Sequence, residues 1–505
     1  MNSCELSLNK PLRAGRYADI IGEAAPKRPR KKKIRASARK RLRRPSKRGI
    51  DSMNKKNIGA EPIYDARTLG APRMFVLGVQ HMFAMFGATV LVPTLTGLSV
   101  SVTLLFAGLG TLLFHLLAKG KVPAFLGSSF AFIGGYAAVA PMLLDEAGNA
   151  TIPNAEMLPY ACFGVACAGL VYLVLAAAFK AFGVKRVMRF FPPIVTGPII
   201  ISIGLSLSSS AVDNCSASWP VALVAILVVI VCNIWGRGMV KIIPILLGVI
   251  VSYVVGGIAG QVDFTAVREA AWIGVPVTWS ETVFGLFGRD NLDTGLLLTA
   301  AITIVPISLA TVVEHIGDMC AISSTCERNY IEEPGLHRTL LGDGLATSLA
   351  ALFGAPANTT YGENTGVLAL SRVYDPRVIR IAAVLAIAVS FCPKFAELVH
   401  AMPTATIGGV SLVLYGMISA VGVRNVVENR VDFTKSRNVI IAALILVLAI
   451  GVTYSGEGAI HIGPVSFSGL ATAAIVGIAL NAVLPGKDYE FGADLQGDTS
   501  VNFKV

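Results

Sequence analysis

Charge is what this chain of 505 residues has least of: only 15% are Asp, Glu, Lys or Arg, against 54% apolar. That scarcity, with a mean hydropathy of +0.66, excludes an ordinary soluble domain. Cysteine pairs are missing too. The eight cysteines form no CxxC, and Cys162, Cys167, Cys232 and Cys392 sit inside apolar runs, so they read as small core residues, not as a disulfide or zinc framework. The six histidines are scattered without metal-ligand spacing, so no metal and no cofactor is expected. No nucleophile–base pair stands out, which argues against a membrane enzyme. The basic N-terminal stretch is not followed by a short apolar segment and a small-residue cleavage site, so no signal peptide is read there.

What is present is a series of apolar runs of about twenty residues, the length that crosses a bilayer. In the first half they cover 73–95, 98–118, 123–142, 159–182, 191–210, 219–236 and 242–260. In the second they cover 294–317, 339–353, 355–371, 378–398, 403–421, 438–455 and 466–484. The expectation is an all-α polytopic membrane protein with fourteen spans, the two around residue 354 being short and broken.

The high isoelectric point belongs to one end. Residues 1–52 hold 17 Lys or Arg against 4 Asp or Glu, leaving 26 basic and 27 acidic residues for the rest. Such a segment repels itself and lacks the means to bury a core. Residues 1–71 are therefore expected to be a basic, disordered cytoplasmic tail touching anionic membrane lipid. Nucleic acid is not expected as a partner, because neither aromatic interleaving nor a binding fold accompanies the charge. A translation start at Met53 is the other reading of this stretch.

Basic residues also test the topology. With the N-terminus inside, the inner loops hold seventeen Lys or Arg, from Lys119 to Arg437, and the outer side only Arg268, Arg289 and Lys394. A miscounted span would scramble that separation. Both termini then lie in the cytoplasm, with a C-terminal tail at 486–505. An outer linker at 261–292 divides the spans into two sets of seven, at 72–260 and 293–485. An odd number per half makes the second half enter with the opposite orientation, the geometry of an inverted repeat. "GSSFAF" at 127–132 and "NTTYGE" at 358–363 echo one another at an offset of 231 residues, each in the third run of its half.

These two stretches are poor helix formers at membrane depth. Non-helical backbone is tolerated there only when protein shields it or it lines a cavity. Each is read as a short extended piece followed by a half-helix whose free N–H groups point toward the membrane centre. Two carboxylates point to the same place. Glu314 ends an uncharged run from Thr294, and Glu363 follows the second break. Ionisable residues inside spans are costly and function is their default explanation, although Glu314 at a helix end or Glu363 capping its own half-helix would be the plain alternatives. Asp318 lies four residues after Glu314, on the same helical face, where the pair favours holding a proton. The alternative places Asp318 at a cytoplasmic helix end. His81 reads as a buried histidine held by its neighbours, and Tyr415 as either a site aromatic or packing. Carboxylates call for N–H donors and free backbone amides call for carbonyl oxygens. A flat neutral ring alternating the two suits both, and Phe130 or Tyr361 would stack on it. A cation stays open on this reasoning.

Over roughly 72–485 the sequence resembles nucleobase–cation symporter family 2, the nucleobase–ascorbate transporter family that includes bacterial uracil permeases. The resemblance is carried by "QHMFAMFGATVLVPTLTG", "GKVPAFLGSSFAFIGG", "EHIGD", "PGLHRTLLGDGLAT", "GAPANTTYGENTGVLALSRV" and "GGVSLVLYGMI". It implies two inverted repeats, with a core of spans 1–4 and 8–11 and a gate of spans 5–7 and 12–14. It implies uracil held between Glu314 and Glu363, with backbone contacts at Phe130 and Gly362 and with Tyr361 and Tyr415 nearby. Coupling to H⁺, with Na⁺ not excluded, would involve Glu314, Asp318 and Ser411. A bacterial cytoplasmic membrane and a homodimer through the gate also follow from the resemblance, with xanthine or another purine as the alternative substrate. Less expected is an anion transporter or channel. The chain departs from the pattern at Asp318, where His is familiar, and at Ser371, where Thr is usual.

Overall fold

The structure, a computed structural model, describes residues 58–144, 150–288, 292–462, 465–487 and 489. The expectations for residues 1–57 and 490–505 lie outside the described residues. The described chain is overwhelmingly helical. Seven helices are long and apolar enough to cross a membrane, and an eighth is added if the bent pair Pro376–Ser390 and Pro393–His400 is one span.

In chain order the main elements begin with α1 (Ala71–Thr96), α2 (Val100–Leu117), β1 (Leu126–Ser128), α3 (Ile133–Val139) and α4 (Leu158–Phe182). Then come α5 (Pro193–Ser206), α6 (Trp219–Trp235), α7 (Pro244–Ile258), α8 (Thr294–Ile304), α9 (Ser308–Thr325) and α10 (Leu336–Leu352). The last are β2 (Asn358–Thr360), α11 (Gly362–Ser371), α12 (Pro376–Ser390), α13 (Pro393–His400), α14 (Thr404–Glu428), α15 (Ser436–Thr453) and α16 (Gly469–Val483). Proline opens α5, α7, α12 and α13, where the missing N–H would have had no helical partner. Side chains cap others: Ser99 accepts from Val102 N ahead of α2, and Asp293 from Gly295 and Leu296 N ahead of α8.

The helices pair in a definite pattern. The most extensive packing is of α4 on α10, α5 on α14, α2 on α12, α2 on α10, α15 on α16 and α6 on α7. Further contacts join α1 to α12, α4 to α8, α6 to α14 and α5 to α15. Small residues allow the closest crossings, as expected where lipid supplies no hydrophobic drive between helices. At the α4–α10 crossing Gly169 and Gly344 face each other, and a Cβ on either would sit 2.7 Å from the other's carbonyl oxygen.

The short extended segments pair antiparallel, with Leu126 opposite Thr360, Gly127 opposite Thr359 and Ser128 opposite Asn358. Ser129 N donates to Ala357 O at 2.9 Å and Tyr361 N to Phe125 O at 3.0 Å, extending the ladder at both ends. All six strand residues are buried. Asn358 anchors the pair by donating to Phe106 O on α2 at 2.7 Å, and Thr347 of α10 donates to Asn358 O at 2.5 Å.

One boundary is corrected. The segment expected as tail to residue 71 is ordered and packed from residue 58. Ile63 is fully buried, bridges Val373, and exchanges backbone bonds of 2.8 Å with Arg372 and Tyr374. The reason lies in composition: this segment carries Ile63, Tyr64, Ala66 and Leu69 without the run of Lys and Arg that fills residues 27–48. Tyr64 donates to Cys326 O at 2.9 Å, and Ala66 N donates to Asp375 Oδ2 at 2.8 Å. Asp65 caps a short turn and meets Arg67 and Arg377.

Two outcomes are expected. Gly169→Val would overpack the α4–α10 crossing and cost about 1–3 kcal/mol, read as a lower melting temperature in detergent. A second concerns acid. The hydrogen bond from the Arg67 guanidinium holds the Asp65 carboxyl down at about 2, against a usual 3.8. A lowered folded value stabilises above the unfolded one and loses that effect as pH falls through the folded one. Protease sensitivity of the 58–70 segment should therefore rise as pH drops from about 4 toward 2, and Asp65→Asn should abolish that dependence.

Candidate functional site

A cavity of about 320 Å³ opens where the strand pair meets α9 and α14, a size typical of small-molecule sites. Three segments build its polar end. The first is the turn from β1 into α3, bringing Ser129 and Phe130. The second is α9, whose one face presents Glu314 and, a turn later, Asp318. The third is the turn from β2 into α11, bringing Thr360, Tyr361, Gly362 and Glu363.

Neither half-helix is capped by a side chain. Ser129, which precedes the 3-10 turn Phe130–Phe132 leading into α3, and Tyr361, the N-cap of α11, are extended and make no capping hydrogen bond. The amides that follow them therefore lie at the cavity wall on both sides of the strand pair. Glu314 Oε2 is buried and has no hydrogen-bond partner among the described residues, as is Ser129 Oγ. Asp318 Oδ2 accepts from Thr360 Oγ1 at 3.0 Å, and a Cβ on Gly362 would lie 3.8 Å from Asp318 Oδ1. Gly362 thus sets the start of α11 beside Asp318, with Glu363 next in the chain. Backbone donors and carboxylate acceptors, with Glu314 Oε2 the unshared one, converge on one small space. The combination fits a neutral ligand carrying both N–H and C=O groups.

The structure brings together Glu314, Asp318, Glu363, Gly362, Phe130 and Tyr361, all on the cavity wall. Tyr361 contributes its ring, because its hydroxyl is committed elsewhere. It donates to Ser128 O at 3.0 Å and lies 3.3 Å from Thr89 Oγ1. Gly127 makes room, since any Cβ there would collide with the Tyr361 ring.

Two expected site residues are not on the wall. Tyr415 is 2% exposed and stands behind Phe130, ring centres 5.9 Å apart and edge to face. Ser411, one turn earlier, is fully buried. The apolar α14 residues that reach the cavity are Leu414, Met417, Ile418 and Val421, the adjacent helical face. His81 is fully buried and held by Asn364 Nδ2, 3.2 Å from its Nδ1, next to Glu363 in sequence. The sequence reading passed over Thr360 and the inner end of the cavity, where Arg424, Asn425, Glu428 and Asn429 lie. The spacing of these four, at the end of an otherwise apolar α14, is the signal that would have found them. Arg424 Nε donates to Glu428 Oε1 at 2.6 Å. Among the described residues no group of three or more His, Cys, Asp or Glu is placed to hold a metal ion.

The sequence profile described as the Permease family matches residues 72–458. A uracil permease of Bacillus caldolyticus is 42% identical over 84% of this chain and 94% of its own length. The Bacillus subtilis uracil permease is 38% identical over 89% of this chain and 99% of its own length. Among solved structures, the transmembrane domain of the cyanobacterial bicarbonate transporter BicA superposes with a TM-score of 0.54 at 16% identity, covering 75% of this chain and 96% of that one. SLC26A9 superposes with a TM-score of 0.59 at 13% identity, covering 83% and 66%. These last two share the fold. The chain belongs to the Permease family. It is a multi-pass membrane transporter of that family and not an enzyme.

Removing the Tyr361 hydroxyl while keeping the ring isolates its structural part. Tyr361→Phe should lower stability by about 1 kcal/mol, seen as a reduced melting temperature of purified protein. An unchanged melting temperature would show that the contacts to Ser128 and Thr89 hold nothing.

Proposed function

We propose that this chain is a proton-coupled symporter that imports uracil across a bacterial cytoplasmic membrane by alternating access. The observation that carries it is Glu314 and Glu363 facing two uncapped half-helix starts in one cavity. Uracil presents N–H and C=O groups around a flat ring, so its N–H groups meet the carboxylates and its carbonyls meet the amides. The names of the relatives support the same substrate. Protonation of Glu314 and Asp318 would neutralise charge that otherwise travels with the site.

Fourteen spans in two inverted repeats are supported by the packing pattern. Exchanging each element of the first seven for its counterpart in the second turns α2–α12 into α10–α4, and α1–α12 into α8–α4. It turns α5–α15 into α14–α6, and α6–α7 into α15–α16. The strand register behaves likewise. With the 231-residue offset, the pair Gly127–Thr359 becomes Asn358–Ser128, which is itself a pair of the ladder. In this reading α1–α4 and α8–α13 form the core around the strands, α5–α7 and α14–α16 the gate, and both termini are cytoplasmic.

Phe130 supports alternating access. One side of it lines the site, and another lines a second cavity of about 510 Å³ that reaches Thr299, Ser206 and Glu457. The fold is shared with anion transporters, which keeps an anion as the second reading, but two glutamates beside the site disfavour one.

The test is uptake of labelled uracil by cells lacking their own permease, with and without a proton uncoupler. Uncoupler-sensitive uptake is expected. Uptake that follows Na⁺ instead would overturn the proton, and membrane-inserted protein that moves xanthine but not uracil would overturn the substrate. Glu363→Ala should weaken uracil binding by about 2 kcal/mol, roughly thirtyfold; wild-type affinity in that variant would remove Glu363 from the site.

A further inference from the structure

Behind the cavity wall lies a second set of titratable groups. Asp343 on α10 and His315 on α9 are both fully buried, with Asp343 Oδ2 2.7 Å from His315 Nδ1. Among the described residues His315 is the only ion-pair partner Asp343 has. The far side of the ring is fixed. His315 Nε2 lies 3.0 Å from Thr339 Oγ1, and the Thr339 hydroxyl gives its hydrogen to Leu336 O at 3.1 Å. A backbone carbonyl only accepts, so Thr339 Oγ1 is left to receive, and Nε2 carries a hydrogen.

That assignment fixes the other nitrogen. In a neutral ring protonated at Nε2, Nδ1 is a bare lone pair. An ionised carboxylate oxygen 2.7 Å away is an acceptor as well, and neither Asp343 oxygen has a well-directed hydrogen-bond donor among the described residues. Two acceptors do not sit at that distance without a proton on one of them. The proton lies on the acid or on the ring, and in either case the pair is neutral overall. This also resolves how a carboxyl group stays at 0% exposure without Lys or Arg beside it.

The pair is linked to the cavity. Thr360 Oγ1 stands 3.5 Å from His315 Nδ1 and donates to Asp318 Oδ2 at 3.0 Å. The Phe114 ring packs edge-on against His315, 6.5 Å between centres, closing the other approach. The remaining titratable groups that feel Asp343 are Glu314 and Asp318 on α9 and Tyr172 on α4, and Glu363 on α11 acts in turn on Glu314 and Asp318.

We propose that Asp343 and His315 form a proton-holding site outside the substrate cavity, linked to Asp318 through the Thr360 hydroxyl. The inference rests on the reading of that cavity as the transport site. Transfer balances without any co-reactant. The Nδ1–H bond of the imidazolium breaks as Thr360 Oγ1 takes that proton, and Thr360 passes its own to Asp318 Oδ2. His315 becomes neutral, Asp318 becomes an acid, Asp343 keeps its charge, and the total is unchanged. Nδ1 and Asp343 Oδ2 are then two acceptors, so the 2.7 Å contact must open as the proton leaves. The 3.5 Å gap is longer than a hydrogen bond, so the step requires a closure of about 0.5 Å. Asp343 and His315 act through Thr360 and Asp318, and are positioning residues.

Asp343→Asn is the discriminating variant, because an amide N–H reproduces a protonated acid facing Nδ1 but holds no exchangeable charge. The measurement is the pH dependence of uracil binding to the purified full chain, normalised to folded protein. The expected result is a pH midpoint moved by about one unit or erased, with the tightest affinity within about threefold of wild type. His315→Gln should move the midpoint as well. Wild-type midpoints in both variants would overturn the proposal. So would failure of Asp343→Asn to fold, since the amide should fit. If the wild-type chain binds no uracil, the substrate reading fails by itself. The pair is then read from melting temperature against pH, which needs no ligand: a flattened curve in Asp343→Asn supports it and an unchanged curve overturns it.

Discussion

The pairing of β1 with β2 is the constraint on which the rest depends. Two stretches of backbone leave the helix at membrane depth, where no water satisfies their N–H and C=O groups. They satisfy one another, three residues against three, with Ser129 N on Ala357 O and Tyr361 N on Phe125 O closing the ends. Once that ladder exists, the chain must restart a helix on each side of it. Those restarts expose the amides that make the cavity polar. Break the ladder and several buried polar groups become unpaired at once, each worth about 1–3 kcal/mol.

Around this centre, the helices approach through missing side chains. Gly169 against Gly344 closes α4 on α10, and Gly197 against Gly422 closes α5 on α14. The first crossing holds α10 where Thr347 bonds Asn358 O, and so holds the strand pair. The second packs helices that carry the opposite wall, with Thr196, Met417 and Ile418. Close crossings of this kind are stiff in distance. They allow one bundle to move against another as a body with less strain than a change inside either.

The legible part of this molecule was the part that costs energy in a membrane. Glycine, serine and asparagine in an apolar run, and an acid such as Glu314 or Glu363 after twenty uncharged residues, stand out because the bilayer tolerates neither without cause. Those signals found both strands and, on the cavity wall, Phe130, Glu314, Asp318, Tyr361, Gly362 and Glu363. Which face of a helix turns inward was not legible where both faces are apolar or neutral. Tyr415 and Ser411 lie one face away from Leu414 and Ile418, and only the packing of α14 decides between them. The order of residues 58–70 was masked by the basic stretch before it, although the apolar residues there differ from that stretch. Asp343 was visible as an acid in an apolar run, but its partner His315 is 28 positions earlier on another helix.

The same fold carries bicarbonate in one neighbour, so the fold does not choose the ligand. Under the proposed function the selection is made by what stands at the two half-helix starts. Amide N–H groups alone would favour an anion. Adding Glu314 and Glu363 reverses that preference unless they hold protons, and a neutral ligand offering both donors and acceptors becomes the better fit. Asp318 then adds a third carboxyl group on the wall, which a membrane carrier could not move uncompensated. The hydroxyl of Thr360 gives it one hydrogen bond, and behind Thr360 stands a pair that is neutral only while it keeps its own proton. In the proposed reading, ligand choice and proton handling meet in one turn of backbone, from Thr360 to Glu363, whose geometry the strand pair sets.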